Sequence, residues 1–218
     1  CGLFQGAELS PDGRAAADKL EIDFDISSVK ALIVSHVHID HVGRIPYLLA
    51  KGFRGPIICS EASALLLPLV MEDAIKIGFT RNPRFIERFI QQVKKQLRPL
   101  PFRQWHSIDE HSDPALAVKL QPAGHILGSA YVECRLRASA GESRKVIFSG
   151  DLGAPYAPLL PAPRSPYRAD ILVLERTYAD RTHPHRPTRR QQLKQVLQKT
   201  YHHRGVVLIL PLPICRTE

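Results

Sequence analysis

Four side chains of the kinds that bind metal ions lie within six positions of one another in this sequence. They are His36, His38, Asp40 and His41, and they directly follow residues 29–35, an apolar run that predicts a buried strand. Residues two apart on an extended chain face the same side, so His36 and His38 can converge on one point. Asp40 and His41, at the turn that follows, can converge on a second point. Imidazole and carboxylate ligands suit zinc, and the lack of nearby cysteine argues against a purely structural site.

Two later positions can complete such a centre. His125 lies between Gly124 and Gly128 at the start of a predicted strand, where glycines allow the backbone to approach a ligand closely. Asp151 follows the predicted strand at 145–149. An aspartate after Ser-Gly more often caps a turn, so each signal is weak alone. Together with the histidine turn, they predict a two-metal site.

Short strands and helices must position these residues. Strand and helix patterns alternate in the first half of the chain and strands dominate after it, which indicates an α/β protein with mixed sheets flanked by helices. On the helix at 83–97, the apolar stripe is expected to run through Phe85, Phe89, Val93 and Leu97. We predict strands at 29–35, 56–60, about 115–121, 129–137, 145–149, 170–174 and 205–210, and helices through 45–49, 61–77, 83–97 and 187–203.

Composition is that of an ordinary globular protein. The chain has 218 residues, of which 44% are hydrophobic and 23% charged, and this excludes collagen-like, coiled-coil and largely disordered proteins. No apolar run approaches the roughly 18 residues of a membrane span, and the first residues do not resemble a signal peptide. The 4 cysteines are far apart and form no C-x-x-C pair, which favours a reducing compartment. We therefore expect a cytoplasmic protein with no membrane partner.

Positive charge is concentrated in two stretches. The net formal charge is +9, and residues 81–104 hold seven basic residues against Glu87 alone. Residues 176–204 hold eight basic residues against Asp180 alone. Such stretches are typical of proteins that bind a polyanion, nucleic acid first, although solvated helix faces would give the same pattern.

The motifs together resemble a known family. The histidine turn at 36–41 matches the H-x-H-x-D-H signature of the metallo-β-lactamase superfamily, and His125 and Asp151 match its next two metal motifs. Further segments indicate one branch of that superfamily. They are the opening residues 1–6, the sequence ERTYADR at 175–181, and the sequences GHILGS and SGDLG around His125 and Asp151. They are similar to the β-CASP nucleases, in the branch of the mRNA 3′-end cleavage endonuclease and its bacterial and archaeal relatives.

The resemblance implies roles for particular residues. It implies two zinc ions in the full-length protein, one held by His36, His38 and His125 and the other by Asp40, His41 and the bridging Asp151. Asp40 would also accept a proton from the attacking water, and Glu175 would assist proton transfer. For Glu175, the alternative is an acid at a strand edge that pairs with Arg176 or Arg181.

The resemblance also implies a fold and a domain order. The fold would be the metallo-β-lactamase αββα sandwich, two mixed sheets flanked by helices, at 1–180, with the start of a β-CASP insert at 181–218. An aspartate that members carry before the Cys-Gly pair would precede residue 1, and the later histidine motifs would follow residue 218. We therefore expect a chain truncated at both ends, which as printed is a poor or inactive nuclease.

The predicted function is zinc-dependent cleavage of RNA phosphodiester bonds by a ribonuclease of the β-CASP type. Single-stranded RNA is the expected partner, with DNA as an alternative, and a homodimer is compatible with the resemblance. One rival is a small-substrate hydrolase of the same fold acting on a thioester, lactone or β-lactam. Another is a metal-free pseudo-enzyme that only binds nucleic acid.

Overall fold

The computed structural model describes residues 1–2, 20–155, 159–177 and 186–208. The chain divides into two compact units, Cys1–Glu175 and Arg176–Glu218, and each is described by itself. The strands are β1 (Leu32–Ile33), β2 (Ile57–Ser60), β3 (Leu97–Leu100), β4 (Trp105–Asp109), β5 (Ala115–Pro122), β6 (Ala130–Arg137), β7 (Ser143–Phe148) and β8 (Ile171–Val173). The helices are α1 (Ile39–Val42), α2 (Ile45–Ala50), α3 (Glu61–Gly78), α4 (Pro83–Gln96) and α5 (Arg186–His202).

The first sheet has three parallel strands in the order β1-β2-β3. Leu32 pairs with Ile57, and β2 continues the sheet through the pair Ile58 and Arg98. The hydroxyl of Ser60 accepts a hydrogen bond from the backbone N–H of Ser63 (3.2 Å) and so caps α3 directly after β2. Because parallel strands end at the same edge of a sheet, the residues after β1 and β2 lie side by side.

The second sheet has five strands in the order β4-β5-β6-β7-β8. Its first four strands are antiparallel neighbours, and β8 joins β7 in parallel. The two sheets pack face to face, since Ile33 and Leu100 of the first sheet lie against a buried cluster that includes Val118, Leu120 and Val132 of the second. The predicted α/β architecture with two sheets and helices is confirmed.

Several details of the fold differ from the sequence prediction. The second sheet is mixed as expected, but in the described residues the first is entirely parallel. Strands β3 and β4 were not predicted. On α4, the buried stripe is Ile86, Ile90 and Val93, whereas Phe85 is half exposed, so the predicted stripe is turned by about one residue. The other predicted strands between 115 and 174, and the helix at 61–77, match β5 to β8 and α3 within a few residues.

The second unit contains α5, which confirms the helix predicted at 187–203. The strand predicted at 205–210 is wrong over its described part, because residues 205–208 form no strand and Val206 and Leu208 are exposed. Residues 209 and 210 lie outside the described residues. In the part of the chain that the structure covers, no helix is both long and apolar enough to span a bilayer.

Candidate metal centre

The structure brings all six predicted ligands together at one edge of the first unit. His36 and His38 follow β1, and α1 carries Asp40 and His41 in its single turn. His125 comes from the loop between β5 and β6, and Asp151 from the loop after β7. Residues far apart in sequence therefore meet because three strand ends and one short helix share this edge.

The first donor group consists of His36, His38, His125 and Asp151, whose ligand atoms all lie within 4.8 Å of one another. Nδ1 of His38 is 3.2 Å from Nε2 of His36 and 3.1 Å from Nε2 of His125. Oδ2 of Asp151 is 3.4 Å from Nε2 of His125 and 3.8 Å from Nε2 of His36. Donors about 2.0 Å from a tetrahedral ion are separated by about 3.3 Å, so the group fits a metal ion.

The second donor group consists of Asp40, His41 and the same Asp151. Nε2 of His41 is 3.4 Å from Oδ2 of Asp40 and 3.2 Å from Oδ1 of Asp151. The two oxygens of Asp151 thus face different groups, Oδ2 the first and Oδ1 the second. This arrangement suits a carboxylate that bridges two metal ions.

The surroundings of the histidines set their protonation in opposite directions. His36 is fully buried, and burial, aided by the nearby His41, lowers its pKa to about 3, so its ring is neutral and able to bind a metal at neutral pH. Burial also acts to lower the pKa of His41, but hydrogen bonds to Asp151 and Asp40 outweigh it and raise that pKa to about 9. The hydrogen bond from His41 lowers the pKa of Asp40 to about 2 and also lowers that of Asp151. The metal-free second group therefore holds a proton that an incoming ion must displace.

The hydroxyl groups of two serines contact ligand residues outside the donor groups. The hydroxyl of Ser35 lies 3.2 Å from Nδ1 of His36, on the ring edge opposite the donor group. The hydroxyl of Ser129 accepts the backbone N–H groups of His125 (3.0 Å) and Ile126 (3.2 Å) and so shapes the loop. Sequence reasoning assigned no role to these serines. The only available signal was their spacing, one directly before His36 and the other four residues after His125.

Glu175 lies at the end of β8, beside the loop that carries Asp151. Its Oε1 accepts a hydrogen bond of 2.8 Å from the backbone N–H of Leu152. Together with His41 and Asp151, Glu175 lines one part of an otherwise largely apolar cleft of about 520 Å³ that extends between the sheets past Ile33 and Phe148. Glu175 is thus close to the donor groups, and its catalytic role stays a prediction.

Comparison with known proteins identifies the family of this site. Residues 10–199 match the metallo-beta-lactamase superfamily. The chain belongs to that superfamily. The resemblance predicted from the motifs is confirmed.

The chain is also similar in sequence to individual proteins of three organisms. The chain is 37% identical over 219 residues to Ribonuclease TTHA0252 of Thermus thermophilus, which covers 100% of this chain and 46% of the relative. It is 32% identical over 181 residues to the transcription termination factor FttA of Cenarchaeum symbiosum, covering 82% of this chain and 27% of the relative. It is 30% identical over 223 residues to the endoribonuclease ysh-1 of Neurospora crassa, covering 99% of this chain and 25% of the relative. The chain thus spans less than half the length of each.

Proposed function

We propose that the protein is a zinc-dependent hydrolase that cleaves RNA phosphodiester bonds, a ribonuclease of the β-CASP type. The observation that carries the proposal is the pair of donor groups that share Asp151. The donors are imidazoles and carboxylates, with no thiolate in either group, and this set is typical of catalytic zinc. The names of two relatives, a ribonuclease and an endoribonuclease, support RNA as the substrate.

Each donor would have a distinct task. When bound, a pair of zinc ions lowers the pKa of water and neutralises negative charge that develops on a phosphodiester. A carboxylate oxygen of Asp40 would accept the proton released by the attacking water. In the metal-free protein, the hydrogen bond from His41 lowers the pKa of Asp40 to about 2, so this carboxylate is ionised when an ion arrives. His36, His38 and His125 would hold one ion, Asp40 and His41 the other, and Asp151 both.

We propose single-stranded RNA as the partner of the basic stretches. In the first unit, the exposed residues of α4 and the strand after it include Arg88, Lys94, Lys95 and Arg98. If these side chains contact phosphates, the logarithm of the binding constant should fall with the logarithm of the salt concentration by about 0.7 per contact. Replacing Lys94, Lys95 and Arg98 with Ala should therefore flatten the slope, and an unchanged slope would mean that α4 presents only a solvated face.

Domain order and location belong to the same proposal. Residues 1–180 would form the metallo-β-lactamase core, and 181–218 would begin a β-CASP insert. The thiols of Cys1, Cys59 and Cys134 are free, which supports a reducing and hence cytoplasmic setting. A homodimer remains part of the hypothesis, and the apparent mass in solution tests it.

A cleavage assay tests the central claim. A labelled single-stranded RNA is incubated with zinc and either the 218-residue chain or the product of its whole reading frame, beside DNA of the same sequence and a thioester, a lactone and a β-lactam. The product of the whole reading frame should cleave RNA, and the 218-residue chain is compared with it at equal concentration. Asp40→Asn, which removes the proposed proton acceptor, should slow cleavage by at least about a hundredfold, while Glu110→Ala, at an exposed loop position, should not.

The rivals give different results in the same assay. Turnover of a small substrate without RNA cleavage would favour the small-substrate hydrolase. RNA binding by a folded protein that retains no stoichiometric metal after dialysis would favour the pseudo-enzyme. Cleavage of DNA in preference to RNA would indicate that the substrate is DNA, the alternative to RNA.

A further inference from the structure

The loop that carries Asp151 is fixed by hydrogen bonds to the end of β8. The backbone N–H of Leu152 donates to Oε1 of Glu175 (2.8 Å), and the backbone N–H of Glu175 donates to the hydroxyl of Ser149 (2.9 Å). The hydroxyl of Ser149 in turn donates to the carbonyl of Gly150 (2.7 Å). These bonds join the residues on both sides of Asp151 to one neighbouring side chain and its backbone.

We propose that Glu175 is a positioning residue, which holds the Asp151 loop so that the two carboxylate oxygens face the two metal groups. This inference rests on the proposed metal-dependent function. It assigns to Glu175 a task that is separate from proton transfer and that needs only its side-chain oxygen as an acceptor.

The position of Asp151 explains why its loop must be held. Its Oδ2 lies 3.4 Å from Nε2 of His125 and its Oδ1 lies 3.2 Å from Nε2 of His41, so a rotation that improves one contact lengthens the other. A bridging carboxylate therefore depends on backbone that does not move. The side chain of Asp151 forms its ion pairs with the neighbouring histidines that would bind the ions. The hydrogen bonds of the backbone around Asp151 therefore set the orientation of its carboxylate.

The loop has a second tether on its far side. The backbone N–H of Gly153 donates to the carbonyl of Ala123 (2.8 Å), in the segment that leads to His125. Leu152 is thus bound to β8 and Gly153 to the His125 loop, directly after Asp151. Loss of the Glu175 side chain would leave the loop held at Ser149 and at Gly153, with Leu152, next to Asp151, no longer bound.

Removal of the tether should affect the two ions unequally. The first ion keeps three imidazoles from His36, His38 and His125 when Asp151 shifts. The second ion keeps only Asp40 and His41. Binding of the ion in the second group should therefore be weakened more than binding of the ion in the first group.

Two substitutions separate positioning from proton transfer. Glu175→Gln keeps an oxygen that can accept the N–H of Leu152, but it cannot carry a proton as a carboxylate does. Glu175→Ala removes the acceptor. Glu110→Ala is the matched control, since Glu110 is an exposed acid of the same unit, away from the donor groups.

Zinc affinity is measured on the whole 218-residue chain by competition with a chelator, and amide hydrogen exchange at Leu152 is measured on the metal-free chain. Loss of an outer hydrogen bond to a metal site typically costs about 10–100-fold in affinity, so Glu175→Ala should weaken the second ion by that factor and speed exchange at Leu152. Glu175→Gln should stay within about fivefold of the parent, because a neutral acceptor bonds less strongly than a charged one. Glu110→Ala should change neither quantity.

The outcomes distinguish this inference from the proposed function. If the parent chain binds no zinc, the proposed function fails, while exchange at Leu152 still tests the tether. If Glu175→Gln loses as much affinity as Glu175→Ala, the negative charge matters rather than the bond to Leu152, and the inference is wrong. Unchanged affinity and exchange in Glu175→Ala would also refute it, and if that variant does not fold, the result for Glu175→Gln decides.

Discussion

Raising the pH from 7 to 9 should strengthen zinc binding at the second donor group about fiftyfold and change the first group far less. The reason is the proton on His41, whose Nε2 faces Oδ2 of Asp40 at 3.4 Å and Oδ1 of Asp151 at 3.2 Å. Burial disfavours that proton, but the two carboxylates outweigh burial and raise the pKa of His41 to about 9. A protonated imidazole cannot bind a metal, so each pH unit below this pKa costs about tenfold in affinity.

The first group provides the contrast inside the same molecule. Burial and the nearby His41 hold the pKa of His36 at about 3, so this ring carries no proton to displace at pH 7 or above. At pH 7, two units below the pKa of His41, about one ring in a hundred is neutral, and at pH 9 about half are, which gives the fiftyfold figure for the second ion. The same two units bring no gain at His36.

The assay is a zinc titration against a competing chelator at pH 7, 8 and 9, corrected for protonation of the chelator itself. The weaker class of sites should gain about tenfold from pH 7 to 8 and about fivefold from pH 8 to 9, and His41→Gln should remove that class while the stronger class remains. NMR titration of the metal-free chain should place the proton of His41 near pH 9. Equal slopes for both classes, or a proton on His41 that leaves near pH 6.5, would refute the reasoning.

Three further outcomes are expected. Gly153→Ala should weaken metal binding and lower the stability of the fold, because the new Cβ would lie 1.7 Å from a backbone oxygen of the His125 loop. Gly78→Ala, whose Cβ would have no atom within 4 Å, should change neither quantity. Metal titrations and thermal melts of both variants test this. Glu133→Ala should lower the free energy of unfolding by about 3 kcal/mol in denaturant titrations, because Glu133 is 1% exposed and its loss leaves two partly buried lysines unpaired. For the metal-free protein, the raised pKa of His41 stabilises the fold fully below about pH 6.5, and this contribution should disappear as the pH rises through 9 in melts at several pH values.

The donor residues could be predicted from sequence because the local signal is dense. Four ligand types within residues 36–41, at the end of an apolar run, leave few alternatives, and the structure places these four beside His125 and Asp151. The hydrogen bonds that orient them could not be predicted. They join residues that are distant in sequence, such as Leu152 and Glu175, and no spacing rule connects such pairs.

The missed elements have equally physical causes. Strand β3 contains Pro99 and directly follows a helix, and both features make a strand hard to predict from sequence. The sheet tolerates the proline because β3 is an edge strand. On α4, the predicted stripe followed the aromatic rings of Phe85 and Phe89, but the buried residues are Ile86 and Ile90, and the helix packs against α3. Side-chain size is therefore a weaker guide to the buried face than the packing partner, which the sequence of the helix does not contain.

Hydrogen bonds join the loops of the metal centre to one another and to neighbouring strand ends. The N–H of Ala130 donates to the carbonyl of Ser35 (2.8 Å), the N–H of Gly153 to that of Ala123 (2.8 Å), and the hydroxyl of Ser60 to the carbonyl of Gly128 (2.6 Å). Each bond joins a loop with a ligand to another strand end, so the donors are aligned before any ion arrives. An ion that binds this folded arrangement and not the unfolded chain adds its binding free energy to the stability of the fold. A substitution that breaks one of these bonds should lower folding stability, and it should also lower metal affinity wherever the freed loop shifts a ligand.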